Sequence, residues 1–253
     1  MRKRVLSLTL CLCMVLTLLP GTAFAADEIA SGTCGANLTW TLDSGGTLRI
    51  TGTGKMSNYS AEHYHKNDIP SEYGDDEIWV DGIWYYHITS PWFSHHKDIK
   101  HLVIEDGVTS IGKYAFCACE SIQDVTMPTS LVNIGNLAFW SCSSISRIKI
   151  PDGVTHIGSR AFLQCKNLIR ADVADSVTTI GDGAFSDCSQ LYVVNIPQNL
   201  ITLASGIFSD CTALEHIAIP NGITTISQLE VAGSSKLKSV NNPDSVTAIG
   251  ELE

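Results

Sequence analysis

Charge is scarce in this sequence. Only 17% of its 253 residues are Asp, Glu, Lys or Arg, against roughly a quarter in an ordinary soluble domain. Basic residues are the scarcer kind, 16 against 26 acidic ones. That shortage excludes a general nucleic-acid or anionic-membrane binder, because both need a basic face. Beyond the N-terminus no apolar run reaches the ~20 residues of a spanning helix. There is no G-x-S-x-G elbow, no H-E-x-x-H and no paired C-x-x-C, so the common hydrolase and zinc patterns are missing and the chain reads as a non-enzyme with no cofactor. What it has in quantity is apolar side chain, 44%. That excludes a disordered chain, and at this length it can fill the core of one or two domains.

The N-terminus reads as a targeting signal. Arg2, Lys3 and Arg4 form a positive region, Val5 to Leu19 an apolar one, and Ala23-Phe24-Ala25 a small-x-small cleavage site. The stretch is short and no stop-transfer pattern follows, which favours a cleaved leader over an anchor. Cys11 and Cys13 follow Leu10 and Leu12, where a lipoprotein signal wants a small residue. Residues 1–25 are therefore expected to leave, with a secreted or cell-surface product starting at Ala26 and no later membrane span. Three basic residues and two of nine Cys go with the leader, so the net charge moves from −10 to −13 and seven Cys remain.

The rest of the chain repeats every 23 residues. Ile111-Gly112 recurs as Ile134-Gly135, Ile157-Gly158, Ile180-Gly181 and Ile249-Gly250, with Leu203 and Ile226 keeping the apolar half. Phe116, Phe139, Phe162, Phe185 and Phe208 form a second column, Cys119, Cys142, Cys165, Cys188 and Cys211 a third that continues to Ser234, and Pro128, Pro151, Pro197, Pro220 and Pro243 a fourth. Within a unit, L-x-x-A-x-V from Leu168 alternates like a short strand. Asp106-Gly107, Asp152-Gly153 and Asn221-Gly222 supply turn chemistry. Val-Thr-x-Ile is a second extended piece, and Ala-Phe-x-x-Cys a compact turn or short helix driving an aromatic inward. One unit cannot bury its own apolar side, but stacked units can, which is the logic of a solenoid.

The pattern resembles the BspA-like leucine-rich repeats of secreted and surface bacterial proteins, most closely in I-P-D-G-V-T-H-I-G-S-R-A-F-L-Q-C from Ile150 to Cys165. Ser31 to Met56 is similar to the β-rich leader that precedes such arrays. The resemblance implies adhesion or protein binding outside the cell and carries over no catalytic residue. The expected fold is mainly β: a parallel-strand solenoid over residues 93–253, about seven repeats with the last incomplete, behind an N-terminal β cap region over 26–92. In the cap region, Leu38, Trp40 and Leu42 alternate, as do Leu48 and Ile50, around Asp43-Ser44-Gly45-Gly46, which reads as a hairpin.

Met56 to Phe93 interrupts the repeat. It holds Trp79, Trp84 and Trp92 with Tyr59, Tyr64, Tyr73, Tyr85 and Tyr86, and most of the His lie near it. The aromatics are expected to pack over the solenoid's open end. The alternative is a platform for sugar rings built from Trp79, Trp84, Tyr85, Tyr86 and Trp92. His63, His65, His87, His95 and His96 with Asp68 or Asp75 form a conceivable metal cluster, but solvated loop histidines explain them better and no metal site is assigned. Gly107 to Lys113 reads G-x-x-x-x-G-K, but Tyr114 stands where Ser or Thr should hold magnesium, so repeat geometry explains the glycines. The Cys column reads as small buried hydrophobes, since stacked side chains run parallel and aim their sulfurs badly at one another. Cys34 and Cys117 lie outside it and form the alternative disulfide.

In each strand the first, fourth and sixth residues should face the core and the third and fifth should face outward. This gives one outward column of His101, Asp124, Arg147, Arg170, Val193, His216 and Ser239, and a second of Val103, Thr126, Lys149, Asp172, Asn195, Ala218 and Asn241. Arg147, Lys149 and Arg170 are the basic cluster on this face, with His101 and Asp124 beside it, and make the candidate docking spot for an acidic partner. The partner is an unnamed protein or surface glycan. The last unit reaches Ile249-Gly250 just before Glu253, so either a longer protein or end-to-end association is expected.

Overall fold

The computed structural model describes residues 26–64, 78–80, 83–200, 202–223, 225–226, 232–241, 244–246 and 248–249. The expected leader, and His65, Asp68, Tyr73 and Asp75 of the insertion, lie outside the described residues. The regular secondary structure of the described chain is almost entirely β, in short strands joined by turns, with one 3-10 turn at Phe93–His95.

Three antiparallel strands open it: β1 (Glu28–Gly35), β2 (Leu38–Asp43) and β3 (Thr47–Gly52). The β2–β3 turn falls at Ser44-Gly45-Gly46, where Asp43 Oδ1 accepts from the amides of Gly45 and Thr47, both at 2.9 Å. β1 adds a strand beyond the expected hairpin. β3 then pairs in parallel with β8 (His101–Ile104), and β4 (Gly54–Lys55) pairs in parallel with β9 (Val108–Ile111). Thr47–Lys55 is thus the solenoid's first rung as well as the end of the cap. Leu48 pairs with Leu102, 54 positions on, whereas Leu102 pairs with Val125, 23 positions on. The excess is the insertion, which leaves the first rung after β4.

Each rung then contributes a strand to two faces, except that the rung holding Val193–Asn195 has no short strand among the described residues. The longer strands are β10 (Asp124–Thr126), β12 (Arg147–Ile150), β14 (Arg170–Val173), β16 (Val193–Asn195), β17 (His216–Ala218) and β19 (Ser239–Asn241). The shorter ones are β11 (Asn133–Ile134), β13 (His156–Ile157), β15 (Thr179–Ile180), β18 (Thr225–Ile226) and β20 (Ala248–Ile249). Each pairs in parallel with an equivalent strand 23 residues away, although β10 and β12, and β16 and β17, are not paired with each other.

The third face is a turn, not a short helix. Its N–H groups reach across to the next rung: Phe116 N donates to Ala138 O, Phe139 N to Ala161 O and Phe162 N to Ala184 O, each at 2.8 Å. A residue with φ of 55–65° stands two places before and two places after each Phe of the column, for example Arg160 and Gln164. This left-handed conformation interrupts any helical run and turns the amides outward to the neighbouring rung. The Ile-Gly glycines mark where rungs touch: a Cβ on Gly135 would lie 2.7 Å from Lys113 N, and one on Gly158 2.5 Å from Asn136 N.

The core is a row of stacked columns. Phe116, Phe139, Phe162 and Phe185 stack with ring centroids 5.2 Å apart, and Phe185 to Phe208 is 6.0 Å. All are buried, as are Cys119, Cys142, Cys165, Cys188 and Cys211, each fully buried Phe contributing about 1.5–3 kcal/mol. Trp92 heads the column. It stacks on Phe116 at 5.2 Å, meets Trp40 and Tyr59 edge-on at 5.8 Å, and donates Nε1–H to Ala115 O at 2.8 Å.

The insertion forms its own antiparallel sheet of β5 (Ala61–Tyr64), β7 (Ile83–Ile88) and β6 (Ile78–Val80). Of the aromatics expected over the open end, Tyr59 and Trp92 do pack there, whereas the described apolar contacts of this sheet lie elsewhere. Ile88 is buried against Cys117, Ala118, Trp140 and Leu163, with Ala61 and Phe93 beside them, so it leans on the turn face. The end itself is closed by β1–β2 and Trp92, because the rung that begins at β3 needs its apolar side covered.

Candidate binding face

The strand face is built by alternation. In β12, Ile148 and Ile150 are buried and Arg147 and Lys149 exposed; in β14, Ala171 and Val173 are buried and Arg170 exposed. Parallel pairing in register sets Arg147 against Arg170 and Lys149 against Asp172, so the three expected cations lie on neighbouring rungs. Asp172 sits among them. Arg170 donates from Nε to both Asp172 carboxylate oxygens at 2.8 Å, and its Nη2 is 2.6 Å from Oδ1. That hydrogen bond, together with the charges of Arg170, Lys149 and Arg147, holds the Asp172 carboxyl below its usual range. Among the described residues Arg147 and Lys149 form no ion pair, so the patch keeps a net of two positive charges.

One rung nearer the N-terminus, His101 Nδ1 lies 2.7 Å from Asp124 Oδ2, and Arg49 pairs with Glu105 at 2.7 Å. Towards the C-terminus, His216 Nδ1 meets Ser239 Oγ at 2.8 Å and Lys238 pairs with Glu215 at 2.8 Å. Arg49–Glu105 and Lys238–Glu215 match opposite charges at the two ends of the face, Asp124 carries a negative charge on the rung before Arg147, and the positive charge of Arg147 and Lys149 is central.

Alternation brought out Val193 but not Ile169 and Tyr192, the other exposed apolar residues beside the cations. Ile169 is 48% exposed, Tyr192 51% and Val193 36%. The amides of Tyr192 and Val193 both donate to Ile169 O, at 2.9 and 3.1 Å, so these residues adjoin. A signal was present: the column that holds Ile169 and Tyr192 otherwise carries Lys100, Gln123, Ser146, Glu215 and Lys238.

The aromatic alternative loses a member. Trp92 has no exposed surface, because it fills the first place in the Phe column, and it cannot stack on a sugar. The side chains of Trp79, Trp84, Tyr85 and Tyr86 lie outside the described residues, as do those of His63 and His87. His96 is buried, with Nδ1 2.7 Å from Phe93 O and its ring stacked on Phe93 at 4.6 Å. His95 Nδ1 is 3.6 Å from Asp98. Among the described residues no group of three His, Cys, Asp or Glu is placed to hold a metal. The amides of Gly107, Lys113 and Tyr114 donate to Ser130 Oγ, Asn58 Oδ1 and Asn136 O, so this stretch is not a phosphate cradle. Cys34 and Cys117 are both buried free thiols in different clusters, which removes the alternative disulfide.

No relative was found among curated protein sequences. Among solved structures, a leucine-rich repeat protein from Bacteroides ovatus is 24% identical with a TM-score of 0.58, the match covering 90% of this chain and 55% of that protein. The chain thus spans about half the length of that relative. The leucine-rich repeat protein of T. pallidum is 25% identical with a TM-score of 0.52, over 84% of this chain and 92% of that one. The BspA type leucine rich repeat region matches in six copies, over residues 86–211 and 170–252. With that match over most of the chain and the parallel 23-residue rungs that underlie it, the protein belongs to the BspA-type leucine-rich repeat family.

Proposed function

We propose that the protein is a protein-binding, adhesion-type module that works outside the cell, and that its partner docks on the strand face. One observation carries this reading: the Arg147, Lys149 and Arg170 side chains stand together on the sheet of β12, β14 and β16 with an excess of positive charge, in a chain of net charge −10. Local charge opposed to the overall field steers an acidic partner to one place and sets its orientation. The N-terminal leader pattern supports export, and the repeat architecture supports display of an extended surface.

Residues 26–253 used as bait against host-cell and bacterial surface extracts test the reading. The Arg147→Ala/Lys149→Ala/Arg170→Ala variant, checked for unchanged thermal unfolding, is expected to lose the recovered protein, and the wild type to lose it as salt is raised. A partner held equally by both chains at all salt concentrations refutes the strand-face assignment.

A further inference from the structure

We propose that the patch spanning Arg147, Lys149, Arg170, Ile169, Tyr192 and Val193 is a two-part docking site for an extended acidic protein segment whose carboxylates are followed by an apolar or aromatic side chain. This rests on the protein-binding reading above and names the chemistry of the partner.

The patch is graded along the solenoid axis. The β12 rung presents two cations, Arg147 and Lys149. The β14 rung is mixed, with Arg170 tied to Asp172 and Ile169 exposed beside it. The β16 rung presents Tyr192 and Val193 without charge. Beyond it the Glu215–Lys238 ion pair closes the apolar part. Neighbouring rungs are about 4.7–4.9 Å apart, so cationic and apolar parts fall within the reach of one short extended segment.

Three of the six large hydrophobic residues exposed among the described ones belong to this patch; Ile29, Val132 and Val240 lie elsewhere. A contiguous apolar trio rimmed by unmatched cations is the kind of surface that marks an interaction site. A purely anionic partner would leave the trio wet, and a purely apolar one would desolvate Arg147 and Lys149 without pairing them. A segment carrying both groups satisfies both parts. Arg147 has a free guanidinium fork for a carboxylate, and the Tyr192 ring offers flat apolar area with a polar tip at its rim.

The test uses fluorescence polarisation with the folded chain over residues 26–253 and three labelled peptides. They are four Glu followed by Gly-Leu-Phe-Leu, four Glu followed by Gly-Ser-Ser-Ser, and four Lys followed by Gly-Leu-Phe-Leu. The first is expected to bind most tightly, about tenfold above each of the others. Ile169→Ser/Tyr192→Ser should reduce it to the level of the all-polar Glu peptide, and Arg147→Ala/Lys149→Ala should abolish its salt dependence. Equal binding of the Glu and Lys peptides, or binding unchanged by either double substitution, overturns the proposal, as does failure of all three peptides to bind. Self-association of the chain that the same substitutions abolish would assign the patch to a second copy and also overturn it. If the peptides fail while the wild type captures a protein that the triple alanine variant does not, the strand face still binds protein and only the partner chemistry falls. If the first peptide behaves as expected and no protein is captured, the patch chemistry stands without the adhesion reading.

Discussion

Cys165 and Phe139 show how one side chain serves two rungs. The Cys165 thiol donates to Phe139 O at 3.3 Å, as Cys142 does to Phe116 O, Cys188 to Phe162 O and Cys211 to Phe185 O. Ser234 makes the same bond to Phe208 O at 3.0 Å, which explains why Ser replaces Cys in this column. Burial pushes the Cys165 and Cys211 thiols up to about 12, and Cys142 and Cys188 well above their ordinary range. The unfolded chain releases these protons near pH 8.5 while the folded chain keeps them. Stability is therefore intact below that pH and falls as pH climbs from about 8.5 towards 12, by up to about 1.4 kcal/mol per pH unit for each thiol. Denaturant titrations at stepped pH should show this fall, and Cys165→Ser should make it shallower. Beside the thiols, Phe162 lies between Phe139 and Phe185 with no exposed surface. Phe162→Ala is expected to cost about 3–5 kcal/mol in the same titration; a cost under about 1 kcal/mol would mean a column facing solvent.

The turn face and the two strand faces do not hold equally well along the chain. On the turn face the ladder is unbroken past Phe185, with Phe185 N donating to Ile207 O at 3.0 Å. On the long-strand face, among the described residues, no ladder joins β10 to β12 or β16 to β17, which belong to separate sheets, and at the second of these gaps the core loosens as well. The Phe185–Phe208 rings are also wider apart than the earlier pairs. Asn195, at the end of β16, bonds in the other direction: its side chain accepts from Val173 N at 2.9 Å and donates to Val173 O. It thus takes up the backbone groups at the end of β14, as short polar side chains do when they compete with a ladder. Amide exchange read by mass spectrometry should be faster over residues 214–218 than over 168–173. Gly158→Ala should destabilise far more than a surface change, because the new Cβ would meet the backbone of Asn136; thermal unfolding of the variant checks it.

At the scale of the whole molecule, what the sequence makes legible is whatever repeats. The Phe, Cys and Ile-Gly columns recur because identical neighbours impose identical packing on every rung, so period alone placed Phe162, Cys165 and Gly158 correctly. The exceptions are where the repeat is interrupted. Counting back one repeat from Phe116 lands on Phe93, yet Trp92 takes the stacking place, since the insertion shifts the rung by one residue. β1 escaped notice because Gly32 and Gly35 thin its alternation. The gap between β16 and β17 leaves the apolar pattern of Leu191–Ile196 intact and so leaves no mark on it. The cationic cluster was legible from alternation, whereas its apolar neighbours Ile169 and Tyr192 were not, because they precede the alternating residues. The central claim is that a partner docks on the strand face, and site-specific photo-crosslinking tests it most directly. A benzophenone side chain placed at Lys149, on the strand face, should crosslink to the captured protein, and one placed at Ser186, on the turn face, should not. Crosslinks from Ser186 with none from Lys149 would contradict the account.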